Sequence, residues 1–179
     1  MTDSIPSEDL ALTLIPLDQI DSAMIEAVLD RAFGPDRFAR TAYKLRAGTD
    51  WLPALSFAVL DEDGLLAGTI QAWPLALTDP DGRRHPILMV GPVAVLPEKQ
   101  GEGLGTALML AMADALGPAA PLPQVMIGDP EYYERFGFFA APAAGWRIAE
   151  GGYEQRRLLV RAANAGVLPE KGTLGPWIG

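Results

Sequence analysis

Two rhythms of apolar residues run along the chain. Ile25, Val28, Leu29 and Ala32 recur at the three- and four-residue spacing of one helix face. Asp18 or Asp21 stands where a side-chain oxygen can cap that helix, and Gly34-Pro35 ends it after Phe33. A second helix is expected over residues 37–47, closed by Gly48. The other rhythm belongs to strands, expected over residues 10–17, 55–60, 65–77 and 87–96. Asp61-Glu62-Asp63-Gly64 and Asp79-Pro80-Asp81-Gly82 supply the turns between the later three, which makes an antiparallel meander.

The pattern then changes. Residues 103–116 read as a helix closed by Gly117-Pro118, 124–127 as a short strand, 130–136 as a short helix ended by Gly137, and 155–161 as a late strand. The step from 87–96 through a helix to 124–127 is a crossover that makes parallel neighbours. The expected fold class is α/β (α+β): a mixed, mostly antiparallel central sheet with helices on both faces. Residues 1–9 read as a loose tail, 10–165 as a single domain, and the Gly- and Pro-rich 166–179 as a second tail. The helix over 103–116 is apolar nearly all round, which suggests burial on both sides or cover by a second subunit, so monomer and homodimer both remain open.

The segment Val93-Ala94-Val95-Leu96-Pro97-Glu98-Lys99-Gln100-Gly101-Glu102-Gly103-Leu104-Gly105-Thr106 carries candidate chemistry. A strand runs into a glycine-rich turn, and the turn opens a helix. The first amides of a helix lack internal partners and the helix dipole adds positive charge there, so a diphosphate suits the place. A nucleotide P-loop needs a lysine directly after its last glycine, and Thr106 stands there instead. A dinucleotide turn needs G-x-G-x-x-G, and its last position falls on Thr106 or Leu108. Asp129 lies near where a ribose-binding acid would sit, which weakens that exclusion. Gly91-Pro92 interrupts the strand before the turn. Proline has no N–H for the ladder, so the strand can splay there, leaving backbone of Val93 and Val95 for an amide-bearing ligand arm. An ordinary bulge and an ordinary tight turn are the plain alternatives.

Composition narrows the field. The chain has 179 residues and a net charge of −9, a poor match for nucleic acid or acidic membranes and a better one for a cationic substrate. There are no cysteines, so disulfides, thiolate catalysis and cysteine metal sites are excluded, and the single His85 excludes a multi-histidine metal site. No apolar run spans a bilayer and the first residues are polar and acidic, so a cytoplasmic location is expected.

Gln100-Gly101-Glu102-Gly103-Leu104-Gly105 fits the pyrophosphate motif Q/R-x-x-G-x-G/A of the GNAT (Gcn5-related) N-acetyltransferases. Tyr132-Tyr133-Glu134-Arg135-Phe136-Gly137-Phe138 resembles that family's Y-x-x-x-G-F element, and with Gly128-Asp129-Pro130 it looks most like the bacterial YhbS-like branch. The resemblance covers residues 55–138. It implies a GNAT-like acyl-CoA N-acyltransferase fold and direct attack of an amine on the thioester of acetyl-CoA. It implies that Val93, Ala94 and Val95 hold the pantetheine arm, and that Gln100, Gly101, Gly103, Leu104, Gly105 and Thr106 hold the pyrophosphate. Tyr133 matches the family's general acid, and Tyr132 reads as packing or substrate lining. The base is open: residues 87–96 hold no acid, which leaves Asp129, Glu131, His85 or a water chain. The acceptor is a small-molecule or peptide amine, with the region of Arg37, Arg40, Lys44 and Arg46 a place for its contacts; a solvated charged face is the plainer reading there. A non-catalytic acyl-CoA sensor is the alternative function.

Overall fold

The computed structural model describes residues 12–117, 122–149 and 153–178. The tail expected over residues 1–9 lies outside them, as does the start of the strand expected at 10–17.

The chain opens with β1 (Thr13–Pro16) and α1 (Ser22–Phe33), whose cap is Asp21, accepting from the Ala23 N–H at 3.2 Å. The helix expected over 37–47 is broken. A single turn at Arg37–Ala39 gives way to extended backbone at Arg40, and α2 runs only from Thr41 to Leu45. Then come β2 (Phe57–Leu60), β3 (Leu66–Thr78), β4 (Arg84–Val95), α3 (Leu104–Leu116), β5 (Gln124–Ile127), α4 (Pro130–Tyr133), β6 (Trp146–Ile148), β7 (Leu158–Arg161) and β8 (Gly172–Pro176).

The strands make one sheet in the order β1-β2-β3-β4-β5-β7. All neighbours on this path are antiparallel except β4 and β5, the crossover pair. Ala58 of β2 packs with Ile25, Val28 and Leu29 of α1, while Val59, next along, packs with Leu104 and Leu108 of α3. Successive strand side chains point to opposite faces, so the helices cover both.

Two further expectations need correction. The C-terminal stretch is not a tail: β8 lies antiparallel to β3, from Leu75↔Pro176 to Thr78↔Thr173, and parallel to β6. The first of its two glycines serves packing, because a Cβ on Gly172 would stand 2.7 Å from the Leu77 side chain. And α3 is not enclosed on both sides. Leu104, Leu108, Met109 and Met112 are buried, but Leu110, Asp114 and Ala115 face out. The apolar outer face is mostly alanine, which carries little exposed area.

Candidate active site

The sheet opens between β4 and β5. Their ladder holds only at Leu88↔Gln124 and Met89↔Val125, and beyond it the strands diverge. The cause lies on the other edge of β4. Ile70 pairs with Val93 and Ala72 with Val90, so Gly91 and Pro92 both stand opposite the single residue Gln71. This bulge bends β4 away at the point where proline removes a donor from the ladder.

A cleft of about 210 Å³ fills the gap. It passes through the sheet. Phe33, Arg40 and Tyr43 line it from the side of α1 and α2; Gly128, Asp129 and Tyr133 line it from the side of β5 and α4; Gly91, Pro92 and Val93 form its floor.

The backbone past the bulge is turned toward the gap. The Leu96 N–H donates to the Ala67 carbonyl of β3 at 2.9 Å. Bonding direction alternates along a strand, so Ala94 also faces β3, while Val93 and Val95 face away from it. The Val95 carbonyl there accepts from the Gln100 side chain at 3.3 Å.

After a turn at Pro97–Lys99, Gly101 and Gly103 take left-handed backbone, with φ of 85° and 82°. Gly103 caps α3 without a side-chain bond, and the helix's first turn holds no acid. The first bond inside α3 runs from the Ala107 N–H to the Gly103 carbonyl at 3.0 Å, so the amides of Leu104, Gly105 and Thr106 precede the internal ladder. A Cβ at Gly101 or Gly103 would meet nothing within 4 Å, so the front of this turn is open. The Tyr132 hydroxyl overhangs it, 3.5 Å from where a Cβ on Gly105 would stand.

The two adjacent tyrosines diverge, their rings edge to face at 4.9 Å between centroids. Tyr132 reaches α3, and Tyr133 lines the cleft. Burial pushes the Tyr133 phenol up to about 12, helped by Tyr132 and Asp129 and opposed by Arg157.

Of the three candidate bases, only Asp129 lines the cleft. Its side chain does not cap α4; its backbone carbonyl accepts from the Tyr132 and Tyr133 amides instead, at 3.1 and 3.0 Å. Its Oδ1 lies 3.4 Å from Arg157 Nε, an ion pair without hydrogen-bond alignment, since that buried Nε has no bonded partner among the described residues. Glu131 points outward and pairs with Arg156. His85 sits in the β3–β4 hairpin, bonded to Asp79 at 2.9 Å and away from the cleft. Phe33, Tyr43, Gly128 and Arg157 also line the cleft. Sequence reasoning gave Phe33, Tyr43 and Arg157 no part in a site, because no local motif marks them; Gly128 was signalled by its place before Asp129-Pro130. Among the described residues, no group of three or more His, Cys, Asp or Glu is placed to hold a metal, and no helix is long and apolar enough to cross a membrane.

Residues 53–139 match the family model for the acetyltransferase (GNAT) domain. The chain is 30% identical over 149 residues to the N-acetyltransferase YhbS of Escherichia coli strain K12, covering 81% of this chain and 86% of that protein. The crystal structure of the GNAT family N-acetyltransferase YhbS from Escherichia coli in complex with CoA superposes with a TM-score of 0.72 at 26% identity, over 94% of this chain and 91% of that one. A GNAT family acetyltransferase from Brucella melitensis in complex with acetyl-CoA gives 0.61 at 26% identity, over 93% and 96%.

Proposed function

The chain belongs to the GNAT acetyltransferase family, and we propose that this N-acetyltransferase moves an acetyl group from acetyl-CoA to a primary amine of a small molecule or peptide by direct attack. The observation that carries this is the gap between β4 and β5, which starts beyond Met89↔Val125 and brings Tyr133 to the strand that leads into α3.

The residues present fit acetyl-CoA. The uncapped amides of Leu104, Gly105 and Thr106, the dipole of α3 and the open front of Gly101 and Gly103 suit a diphosphate. Val93 and Val95 offer backbone groups to the gap, at strand spacing, for an arm that carries amides. Gln100 holds the Val95 carbonyl and so ties the turn to the strand. The donor supplies a thioester, whose carbonyl carbon takes the amine's electron pair as the C–S bond breaks. Tyr133 gives its proton to the departing sulfur, since a phenol held near 12 is neutral at physiological pH. The amine loses its proton to Asp129, directly or through water; Asp129 shares the cleft with Tyr133.

Calorimetry with acetyl-CoA, CoA and NAD tests the reading, beside Gly103→Trp, which fills the open front of the turn. Binding of both CoA species, loss in the variant and no heat with NAD are expected. Release of CoA thiol on adding amines then reports turnover. Absence of CoA binding by the native chain sinks the proposal.

A further inference from the structure

Beside the cleft, behind Tyr43, lies a second chamber of about 330 Å³ between α1, α2 and β3. Two arginines enter it, both nearly inaccessible to solvent: Arg37 at 2% and Arg46 at 7% exposure. Their surroundings differ. Arg37 donates to Asp30 at 2.8 Å, to Glu26 and to the Tyr43 hydroxyl, so its charge is fully met. Arg46 has no such set. Its Nη1 donates to Gln71 Oε1 at 3.2 Å, an oxygen that also accepts from Trp73 Nε1 at 3.2 Å. Its guanidinium lies 3.7 Å from the Tyr43 ring centre and 4.5 Å from that of Trp73. Among the described residues no carboxylate comes within ion-pair distance of it.

A buried guanidinium ordinarily has a paired anion, because desolvation of a lone charge is costly. Arg46 carries five N–H donors in a planar fork that matches a carboxylate, and one shared amide oxygen answers only part of it. The aromatic faces hold the fork in place, and the chamber that Arg46 lines is where a ligand would meet its remaining donors. Burial lowers the Arg46 pKa, against the opposing pull of the Tyr43 hydroxyl and of the Glu26 carboxylate across the chamber, and an incoming anion would relieve the remaining cost.

The chamber adjoins the transfer site. Tyr43 forms a wall of both spaces. Gln71, which holds Arg46, is the residue opposite the Gly91-Pro92 bulge that opens the cleft. Trp73 pairs with Met89, which lines the cleft. A molecule with an amine at one end and an anion at the other could place the amine before Asp129 and the anion on Arg46.

We propose that the acceptor is an amine bearing a carboxylate, and that Arg46, set between Tyr43 and Trp73, is the group that binds that carboxylate. This rests on the acetyl-transfer reading above. The probes are matched pairs: the ω-amino acids from β-alanine to ε-aminocaproate against the corresponding alkylamines, and phenylalanine against phenethylamine. At least one carboxylate-bearing probe should show kcat/KM about tenfold or more above its partner, the loss expected when a site built for a polar group meets an analogue lacking it. Arg46→Met should erase that preference and Arg46→Lys should keep part of it. The calorimetric Kd for CoA reports that each variant is folded. Equal kcat/KM across every pair, or a preference that survives Arg46→Met, overturns the proposal. If no amine is acetylated, the transfer reading fails by itself and tryptophan fluorescence judges the chamber, since Trp51 and Trp73 wall it. Saturable quenching by phenylacetate but not phenylacetamide, absent in Arg46→Met, supports the carboxylate site; no quenching by phenylacetate overturns it.

Discussion

The ring of Tyr133 lies where a side chain on Gly128 would be: a Cβ there would stand 2.6 Å from Tyr133 Cε2 and 2.8 Å from Cδ2. The conflict is with a rigid ring held by Tyr132 and Phe136, so the ring must move to relieve it. Gly128→Ala should therefore displace the phenol from the cleft while leaving the α3 turn untouched. Displacement of a reacting group by about 1 Å can cost on the order of a hundredfold. We expect kcat to fall by about that factor with the calorimetric Kd for CoA unchanged. A variant with native kcat would remove Tyr133 from the reaction.

Burial holds Tyr133 at about 12, above the value of about 10 for a free phenol. The protonated form is the one that can donate. The pH profile of kcat should thus show no descending limb from this group below about pH 11. Tyr133→Phe should lower kcat by about 10²- to 10⁴-fold at every pH in that range. Stability follows the same shift. The folded pKa is raised, so this contribution is intact below about pH 10 and is lost as pH rises toward 12. Thermal melts of native protein and Tyr133→Phe should accordingly diverge across that window, with the native protein losing more.

Gly101 and Gly103 hold φ of 85° and 82°, and a Cβ at either position would meet nothing within 4 Å. Alanine at Gly101 therefore meets no neighbour, and its cost to the fold is the left-handed backbone alone, about 1–2 kcal/mol. Its methyl group projects into the open space before α3. Gly101→Ala should lower Tm by a few degrees and weaken acetyl-CoA binding about tenfold or more. Calorimetry beside a melting curve separates the two effects. Unchanged affinity would place the pyrophosphate elsewhere.

These features were legible in the sequence because they are local. The end of the strand, the glycine turn and the start of the helix lie within Val93–Thr106, and Gly91-Pro92 announced the bulge that splays β4. What stayed hidden depends on distant pairing. β8 has two glycines and a proline in five residues, no strand signal at all, and exists because the free edge of β3 beyond β2 accepts it. The break in the second helix follows from the inward pull on Arg37, whose partners Glu26 and Asp30 lie on α1. An arginine in sequence reads as surface, so nothing distinguished buried Arg46 from exposed Arg40 before Tyr43, Gln71 and Trp73 were seen around it.

Asp129 is the remaining test of the mechanism. Its two roles sit on different atoms. The backbone carbonyl accepts the first bonds of α4, and the carboxylate faces Arg157 at the cleft. Asp129→Asn preserves the first and removes the charge of the second, so α4 and Tyr133 should stay in place. If the carboxylate takes the amine's proton, kcat/KM at neutral pH should fall about tenfold to a hundredfold, near the lower end for general-base catalysis. The deficit should shrink as pH rises toward the acceptor's own pKa, because an amine that is already neutral needs less help. A purely structural role predicts otherwise: a deficit constant with pH, together with a weaker Kd for CoA. The pH dependence of the ratio of native to variant kcat/KM decides between them.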